Sequence, residues 1–338
     1  MNQQKKIFLI LIVVLFASLF FIYYEAENSV GDAQDTQVIM VEKGDGIFQI
    51  SRKLENEKLI SKETFFIYYV FTHEILGKII AGEYEIAPGF TIPEISQILI
   101  SGKTKPDYAK VTFPEGWTAV QMAERLNAKN LPGDDFLEII NKPPQDLLDK
   151  FDFIADKPSS ASLEGYLFPD TYFFSHEVKA KDIAEKMLKN FNTKLSDNLR
   201  SEIKRQNKSI FEILTMASVV ESEVGSNSDR KIVSGIFWKR LEIGMALQSD
   251  ATVAYALGGK KKIQHDVNDI NIDSPYNTYK FKGLPPGPVS NPGLSSIEAA
   301  IFPTKTNYLY FLNNPKTGET FFSTTFEQHT KNKVNNGL

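Results

Sequence analysis

Cysteine is absent from the 338-residue sequence, and histidine is scarce. The lack of cysteine excludes disulfides, thiolate metal sites and cysteine nucleophiles. No two histidines have the spacing of paired ligands on one helix. We therefore expect neither a bound metal nor another cofactor. The four histidines are His73, His176, His265 and His329.

Long clusters of lysine and arginine are also missing, and the formal net charge is −4. Proteins that bind nucleic acid need such clusters to neutralise phosphate groups, so no nucleic-acid partner is expected. The 42% of hydrophobic residues and 24% of charged residues predict a mostly globular chain. The length is sufficient for two domains.

One long apolar run is present, from Ile7 to Tyr24, and it is long enough to span a bilayer. Two lysines precede the run and acidic residues follow it, which predicts a cytoplasmic N-terminus and an extracytoplasmic remainder. A cleaved signal peptide is the alternative, but the run is long and aromatic, and no good cleavage site follows it. Residues 1–37 are thus predicted to form a cytoplasmic tip, an anchor (7–24) and a polar linker.

Residues 38–104 have the pattern of a small α/β module. Val38–Val41 and Gly82–Ile86 are strand-like, and a helical apolar face begins at Ile47. A capping box at Thr91–Glu94 predicts the start of another helix. The aromatic residues between 65 and 71 are interpreted as helix core, and a sugar-stacking surface is the alternative.

Residues 105–338 mix helical and strand-like patterns, so the predicted fold class is α+β with this region as the larger domain. Its central stretch runs from Ser209, which opens a capping box, to Asp250. A helical apolar run there ends in Glu221 and Glu223. An acid at the end of such a run has to be solvated, paired or functional. Because each acid shares a helical face with apolar residues, the residues alone do not choose between them.

Four further elements are predicted in this larger region. Ile183–Leu199 has the apolar spacing of one amphipathic helix. Ser295–Glu298 has the spacing of a capping box. Tyr308–Leu312 and Thr320–Ser323 predict a β-hairpin. The tail past His329 is polar and is expected to fray.

Two loop motifs have the composition of cleft walls. Leu163–Phe174 combines an acid, a Gly-Tyr pair and a Phe-Pro-Asp turn with many aromatic residues, which suits either a sugar cleft or a buried loop. Gly283–Gly293 contains four prolines and three glycines, so it forms neither a helix nor a central strand. A rigid loop of this kind forms a cleft wall or a simple connection.

Five motifs together resemble the MltG (YceG-like) family of membrane-anchored endolytic murein transglycosylases. They are ASVVESEV, RLxIGMxLQSDATVAYALG, SPYNTY, GLPPGPVSNPG and LEGYLFPDTY. In addition, VEKGDGIFQISRKLENEKLI resembles the start of a LysM module, a glycan-binding unit, although Gly46 replaces the usual threonine. Residues 38–104 are therefore interpreted as a LysM-like module, with glycan binding and a spacer role both open.

The resemblance implies cleavage of the β-1,4 bond between MurNAc and GlcNAc in nascent peptidoglycan strands, which leaves 1,6-anhydro-MurNAc ends. It assigns the catalytic acid to Glu221. One acid is sufficient because the C6 hydroxyl of the sugar attacks the anomeric carbon, whereas ordinary glycosidases need two carboxylates. Five residues are expected to position the sugar or Glu221, namely Glu164, Gln248, Asp250, Asn277 and Tyr279.

The implied partners are peptidoglycan strands and the inner (cytoplasmic) membrane, with peptidoglycan synthases as further candidates. Two alternatives are kept. A hydrolysing muramidase would need a second carboxylate, for which Glu164 or Asp250 would be the candidate. A non-catalytic envelope scaffold would bind glycan through residues 38–104 without cleaving it.

Overall fold

The computed structural model of the chain describes residues 3–28, 30–31, 35–102, 108–258, 270–314 and 317–337. These residues divide into two compact units. Unit 1 comprises residues 1–110 and 172–176, and unit 2 comprises 111–171 and 177–338. Helices and short strands are present in both, which confirms the α+β class.

Unit 1 is built on an antiparallel pair of strands. Gln37 lies opposite Ile86, and Val41 lies opposite Gly82. Alternate residues of the pair enter a core that the helices complete, as the period of two requires. The elements in chain order are α1 (Gln3–Asn28), β1 (Gln37–Val41), α2 (Ile47–Asn56), α3 (Glu63–Thr72), β2 (Gly82–Ile86) and α4 (Ile92–Ser101).

The two predicted strands and the predicted capping box of unit 1 are confirmed. The Thr91 hydroxyl accepts from the Glu94 backbone and caps α4. The core interpretation of the aromatic stripe holds for Phe66 and Tyr69, which are buried, whereas Phe71 is 52% exposed.

Helix α1 contains the stretch that was predicted to be a membrane anchor. Within the described residues, no helix is both long and apolar enough to cross a membrane. The stretch 7–24 lies partly outside the description, because the side chains of residues 7–11 and 15 are left out. Toward the end of α1, Ala26 is buried in the core of unit 1. Beside it, Glu27 Oε1 lies 3.3 Å from His73 Nε2, just beyond the end of α3.

Unit 2 is mainly helical. Strands β3 (Tyr108–Thr112) and β4 (Thr171–Ser175) pair with each other and belong mostly to unit 1, and β5 (Tyr310–Asn313) and β6 (Thr320–Ser323) form the predicted antiparallel hairpin. The helices are α5 (Ala119–Asn127), α6 (Gly133–Asn141), α7 (Gln145–Leu148), a 3₁₀ turn (Asp152–Ile154), α8 (Ala180–Lys194), α9 (Asp197–Arg205), α10 (Ile210–Glu223), α11 (Asn227–Glu242), α12 (Asp250–Ala256), α13 (Leu294–Ile301) and α14 (Phe326–Asn335).

Helix α10 lies at the centre of unit 2 and packs against α11 and α13. The predicted capping box is present, with the Ser209 hydroxyl accepting from the Glu212 backbone at 3.0 Å and the Glu212 carboxylate accepting from the Ser209 backbone at 2.8 Å. Every residue from Ile213 to Val220 is buried, so the helix is enclosed on all sides and not only on one face. The acids after Val220 therefore extend from a rigid, buried element.

Three sequence predictions in unit 2 were wrong. The helix predicted over Ile183–Leu199 is two helices, because Leu195 leaves the helical conformation with ψ 74°. Since Leu195 is still buried, the apolar spacing continues across the break. The capping box predicted at Ser295 is absent, because α13 already begins at Leu294. The tail is not frayed but forms α14, whose cap is the Thr325 hydroxyl.

Candidate active site

Glu221 lies in the last turn of α10, and its side chain is only 5% exposed. Its Oε1 accepts from Arg230 Nη2 at 2.8 Å, and its Oε2 accepts from the backbone N–H of Gly293 at 2.9 Å. Both donors stabilise the ionised carboxylate more than the neutral acid. The acid is therefore paired and hydrogen-bonded on both oxygens.

Arg230 comes from the first turn of α11, which the Ser226 hydroxyl caps. Its Nη1 donates to Asn227 Oδ1 at 3.0 Å and also to Ser295 Oγ. Its Nε is buried and has no hydrogen-bond partner among the described residues. The guanidinium is thus held at one edge by neutral groups, while its other edge faces carboxylates.

A second carboxylate, that of Glu115, lies at the same guanidinium. Its Oε2 is 4.0 Å from Arg230 Nη2, and its side chain is 49% exposed. Partial burial raises the pKa of Glu115, the charge of Glu221 raises it further, and Arg230 opposes both. Glu115 was not among the site residues predicted from the sequence. The available signal was its place in the Pro-Glu-Gly-Trp turn that follows a strand.

Two loops meet beside Glu221. The Gly116 N–H donates to the Asn291 carbonyl at 2.9 Å, and the Asn291 N–H donates to the Trp117 carbonyl at 2.8 Å. Gly116 has φ +75°, and a Cβ there would lie 3.3 Å from Glu221 Cγ. A Cβ on Gly293 would lie 1.8 Å from a carboxylate oxygen of Glu115. Glycine at both positions lets the backbone approach the two carboxylates closely.

Glu164 is a buried acid that hydrogen-bonds to both of these loops. It is 5% exposed, and both of its oxygens accept from the Ala119 N–H, at 2.9 and 3.1 Å, at the start of α5. The Asn291 side-chain amide also donates to it. Burial raises the pKa of Glu164 to about 8, although these two donors oppose the shift. Through Asn291, Glu164 fixes the loop that carries Gly293.

The other four predicted site residues lie together around the start of α12. The Tyr279 hydroxyl donates to Asp250 Oδ1 at 2.7 Å. Asn277 is fully buried, and its side-chain amide donates to the carbonyls of Ile270 and Ile272. Gln248 has φ +52°, and its N–H donates to the Thr278 carbonyl at 3.1 Å. These contacts hold the loop before α12 against the Ser274–Tyr279 segment.

Glu223 belongs to this second group and not to the group around Glu221. Two residues apart on a helix means about 200° of rotation, so the two acids point to opposite sides. Glu223 Oε1 accepts from the Ser249 hydroxyl, just ahead of α12. Burial raises the pKa of Glu223 to about 7, and Asp250 adds to the shift while Ser249 and Arg240 oppose it.

Among the described residues, no group of three or more His, Asp and Glu side chains is arranged to hold a metal ion. Glu221, Glu115 and Arg230 form a cluster of two carboxylates and one guanidinium, which we call the Arg230 cluster. It is bordered by the turn at residues 114–117 and by the Pro-rich loop that ends at residue 293. A partly exposed carboxylate above a buried one suits proton transfer to a bound substrate.

One family model and several named proteins are similar to this chain in sequence. A family model described as the YceG-like family matches residues 39–335. An endolytic murein transglycosylase of Bacillus subtilis (strain 168) is 37% identical over 314 residues, which cover 89% of this chain and 85% of that protein. An endolytic murein transglycosylase of Streptococcus pneumoniae serotype 2 is 31% identical and covers 96% of this chain, which spans 63% of that longer relative.

A crystal structure of a YceG-like protein from Listeria monocytogenes has a similar fold. It has a TM-score of 0.62 and 38% sequence identity, and it covers 89% of this chain and 100% of that chain. The family model spans most of both units, and it includes all three members of the Arg230 cluster. The chain belongs to the YceG-like family.

Proposed function

We propose that the chain is an endolytic peptidoglycan lytic transglycosylase, with Glu221 as its general acid and base. The bond cleaved is the β-1,4 link between MurNAc and GlcNAc. The observation that carries this assignment is the position of Glu221, a nearly buried carboxylate at the end of a rigid helix, held by Arg230 and by the Gly293 N–H. The names of the Bacillus and Streptococcus relatives support the substrate class.

The reaction balances with one carboxyl group. Protonated Glu221 gives its proton to the glycosidic oxygen as the bond from C1 of MurNAc to that oxygen breaks, and GlcNAc leaves with a hydroxyl. The C6 hydroxyl of the same MurNAc attacks C1, and the Glu221 carboxylate accepts the C6 proton. The 1,6-anhydro ring forms without water, and Glu221 returns to its protonated form. Arg230 and the Gly293 N–H stabilise the carboxylate between the two proton transfers.

The test is the matched pair Glu221→Gln and Glu223→Gln on purified glycan strands, with the ends identified by mass spectrometry. We expect Glu221→Gln to abolish anhydro-MurNAc ends and Glu223→Gln to keep them. Anhydro ends formed at the normal rate by Glu221→Gln would reject the assignment. Glycan binding without any cleavage by the unmodified chain would instead favour a non-catalytic scaffold.

One observation favours hydrolysis as a second candidate. A muramidase needs two carboxylates, and Glu115 places a second one at the cation that Glu221 binds. The candidates expected from the sequence suit that role less well, because Glu164 is committed to α5 and Asp250 lies in the Glu223 group. Reducing MurNAc ends in place of anhydro ends would identify this reaction.

The finer proposals concern the first 104 residues and the cell envelope. We propose that the apolar run 7–24 anchors the chain in the cytoplasmic membrane with the remainder outside, on the support of the two lysines before it and the acids after it. The full chain should then stay with membranes in alkaline carbonate, while a chain lacking residues 1–24 should be released. Release of both would reject the anchor.

Synthases are proposed as partners from membrane proximity alone.

Glycan binding by the LysM-like residues 38–104 is a separate proposal, and a spacer role is its alternative. Val38, Met40 and Phe48 are apolar side chains that are 58%, 48% and 63% exposed in this segment. In the Glu221→Gln background, Phe48→Ser should weaken retention on insoluble peptidoglycan if the exposed Phe48 side chain binds glycan. Equal retention would favour the spacer role.

A further inference from the structure

We propose that Glu115 is a positioning residue of the same reaction, which draws Arg230 away from Glu221 and so allows Glu221 to carry the proton that it donates. This inference rests on the proposed function. It assigns a role to a carboxylate that the one-acid mechanism does not use.

The proposal addresses a conflict within the site. A general acid has to be protonated when it meets the glycosidic oxygen. Both partners of Glu221 act against this, since Arg230 at 2.8 Å is a cation and Gly293 donates an N–H at 2.9 Å. The interaction of Glu221 with Arg230 therefore has to weaken before the proton is donated.

Glu115 is placed to do so because it shares the cation. The same Nη2 atom of Arg230 lies 2.8 Å from Glu221 and 4.0 Å from Glu115. The positive charge of Arg230 therefore attracts both carboxylates. Arg230 Nε is buried without a partner among the described residues, so the guanidinium has a donor available to a carboxylate that moves closer.

Exposure gives the exchange a direction. The Glu115 side chain is 49% exposed, whereas that of Glu221 is 5% exposed. Water at the half-exposed Glu115 carboxylate stabilises its charged form. In the open site Arg230 is then drawn toward Glu115, and Glu221 takes up a proton from solvent before a glycan strand covers the two acids.

Gly293 is a second contact point between the two acids. Its N–H binds Glu221, and a carboxylate oxygen of Glu115 occupies the space where its side chain would begin, 1.8 Å from an ideal Cβ. Its φ of −74° is accessible to any residue, so the absence of a side chain matters for space and not for backbone conformation. Glycine here is what keeps Glu115 beside Arg230.

Few charged groups lie at Glu221 within the part of the chain that the structure describes. Arg230 comes from α11 and Glu115 from the loop before α5, while the segment before α13 contributes the Gly293 N–H. Glu223 lies on the opposite side of α10. A change in the ionisation of Glu221 on mutation of Glu115 can therefore be traced to the Arg230 cluster.

The main test is the pH profile of kcat for Glu115→Gln, with Glu115→Asp as the variant that keeps the charge. The glutamine leaves Arg230 to Glu221 alone, which stabilises the carboxylate against protonation. The alkaline limb of the profile should therefore move to lower pH. We expect kcat at neutral pH to fall about tenfold, with KM changed less than twofold. Glu115→Asp should stay close to the unmodified chain.

Gly293→Ala is the second variant, because it displaces the Glu115 carboxylate without removing its charge. It should lower kcat and move the alkaline limb in the same direction. In the Glu115→Gln background, the added alanine should have a smaller effect on kcat than it has alone. A melting curve for each variant checks that the fold is kept.

An unchanged kcat and alkaline limb in Glu115→Gln would overturn the proposal, and so would a rise in KM with an unmoved limb, which indicates a substrate contact only. These outcomes differ from failure of the proposed function. That failure is recognised by normal anhydro product from Glu221→Gln, whatever Glu115→Gln does.

Discussion

Glu221 and Glu223 leave the last turn of α10 on opposite sides and meet different partners. Glu221 meets a guanidinium and a backbone N–H, both of which favour its charge. Glu223 meets the Ser249 hydroxyl and is close enough to Asp250 for that charge to raise its pKa further. Burial raises the pKa of Glu223 to about 7, the range that suits a general acid, yet its contacts are with the start of α12. The raised pKa of Glu223 is therefore a consequence of its burial. The hydrogen-bond partners of the two acids distinguish them better than this pKa does.

The surrounding arginines differ in the same way. Arg230, on the Glu221 side, binds a carboxylate and faces another. Arg240 donates to the carbonyls of Leu309 and Leu247 and so joins chain segments. One side of α10 thus concentrates charge at a partly exposed edge, and the other uses buried polar groups to hold loops together. Four mutational predictions separate these two sides.

The largest effect is expected from Glu221→Gln compared with Glu223→Gln. Loss of the group that transfers the proton should reduce kcat about 10²–10⁴-fold. Glu223→Gln keeps the shape and the bond to Ser249, so its kcat should stay within about threefold of the unmodified chain. Initial rates of anhydro-end formation give both values. Equal losses would show that the two sides of α10 act as one site.

Glu164→Ala comes next and tests whether the Asn291 loop depends on a buried carboxyl. The mutation leaves the Ala119 N–H and the Asn291 amide buried without their acceptor. We expect a loss of about 2–4 kcal/mol in the free energy of unfolding, measured by urea denaturation. Glu124→Ala, at an exposed position of α5, is the control and should stay within about 0.5 kcal/mol. A similar loss in both would separate Glu164 from the loop.

The melting temperature of Glu223→Gln over a range of pH tests the Glu223 side of α10. The folded pKa of about 7 lies above the ordinary value of 4.5, so the folded state binds more protons between these values. The contribution of Glu223 to stability is then fully present below pH 4.5 and is lost as pH rises through 7. Glutamine stays neutral, so the melting temperature of Glu223→Gln relative to the unmodified chain should rise from pH 5 to pH 8. A constant difference would contradict the raised pKa.

The smallest effect is expected from Tyr279→Phe. It removes the hydrogen bond to Asp250, whose carboxylate is exposed and can bind water instead. The expected loss is about 0.5–1.5 kcal/mol in the free energy of unfolding, with kcat nearly unchanged. Asp250→Asn should have a similar effect. A large loss of kcat in Tyr279→Phe would place the Glu223 group in contact with substrate and remove the contrast between the two sides.

Local patterns predicted much of the fold. The caps at Thr91 and Ser209 depend on residues three positions apart, and both are present. The break after α8 was missed because Leu195 is buried, as it would also be in one continuous helix. The apolar spacing therefore does not reveal the break. The cap assigned to Ser295 is absent because α13 already begins at Leu294. The Ser295 hydroxyl accepts instead from Arg230, a partner distant in sequence.

The site was predictable only in part. The residues predicted a functional or paired acid at the end of α10, and the family resemblance chose Glu221. Glu164 was singled out from its motif, but its burial against α5 depends on packing that no local pattern encodes. Glu115 was missed because its significance comes from Arg230, which only tertiary structure brings to it.

The pairing of Trp117 with Asn291 has a consequence for folding. Asn291 donates to a carbonyl 174 residues earlier and accepts from an N–H 126 residues earlier. Contacts of such long range form late, because the entropy of closing the intervening chain has to be overcome first. A chain that has not yet closed this contact therefore lacks the Gly293 N–H at Glu221. Activity that depends on this N–H then appears only after the chain has folded as far as Gly293.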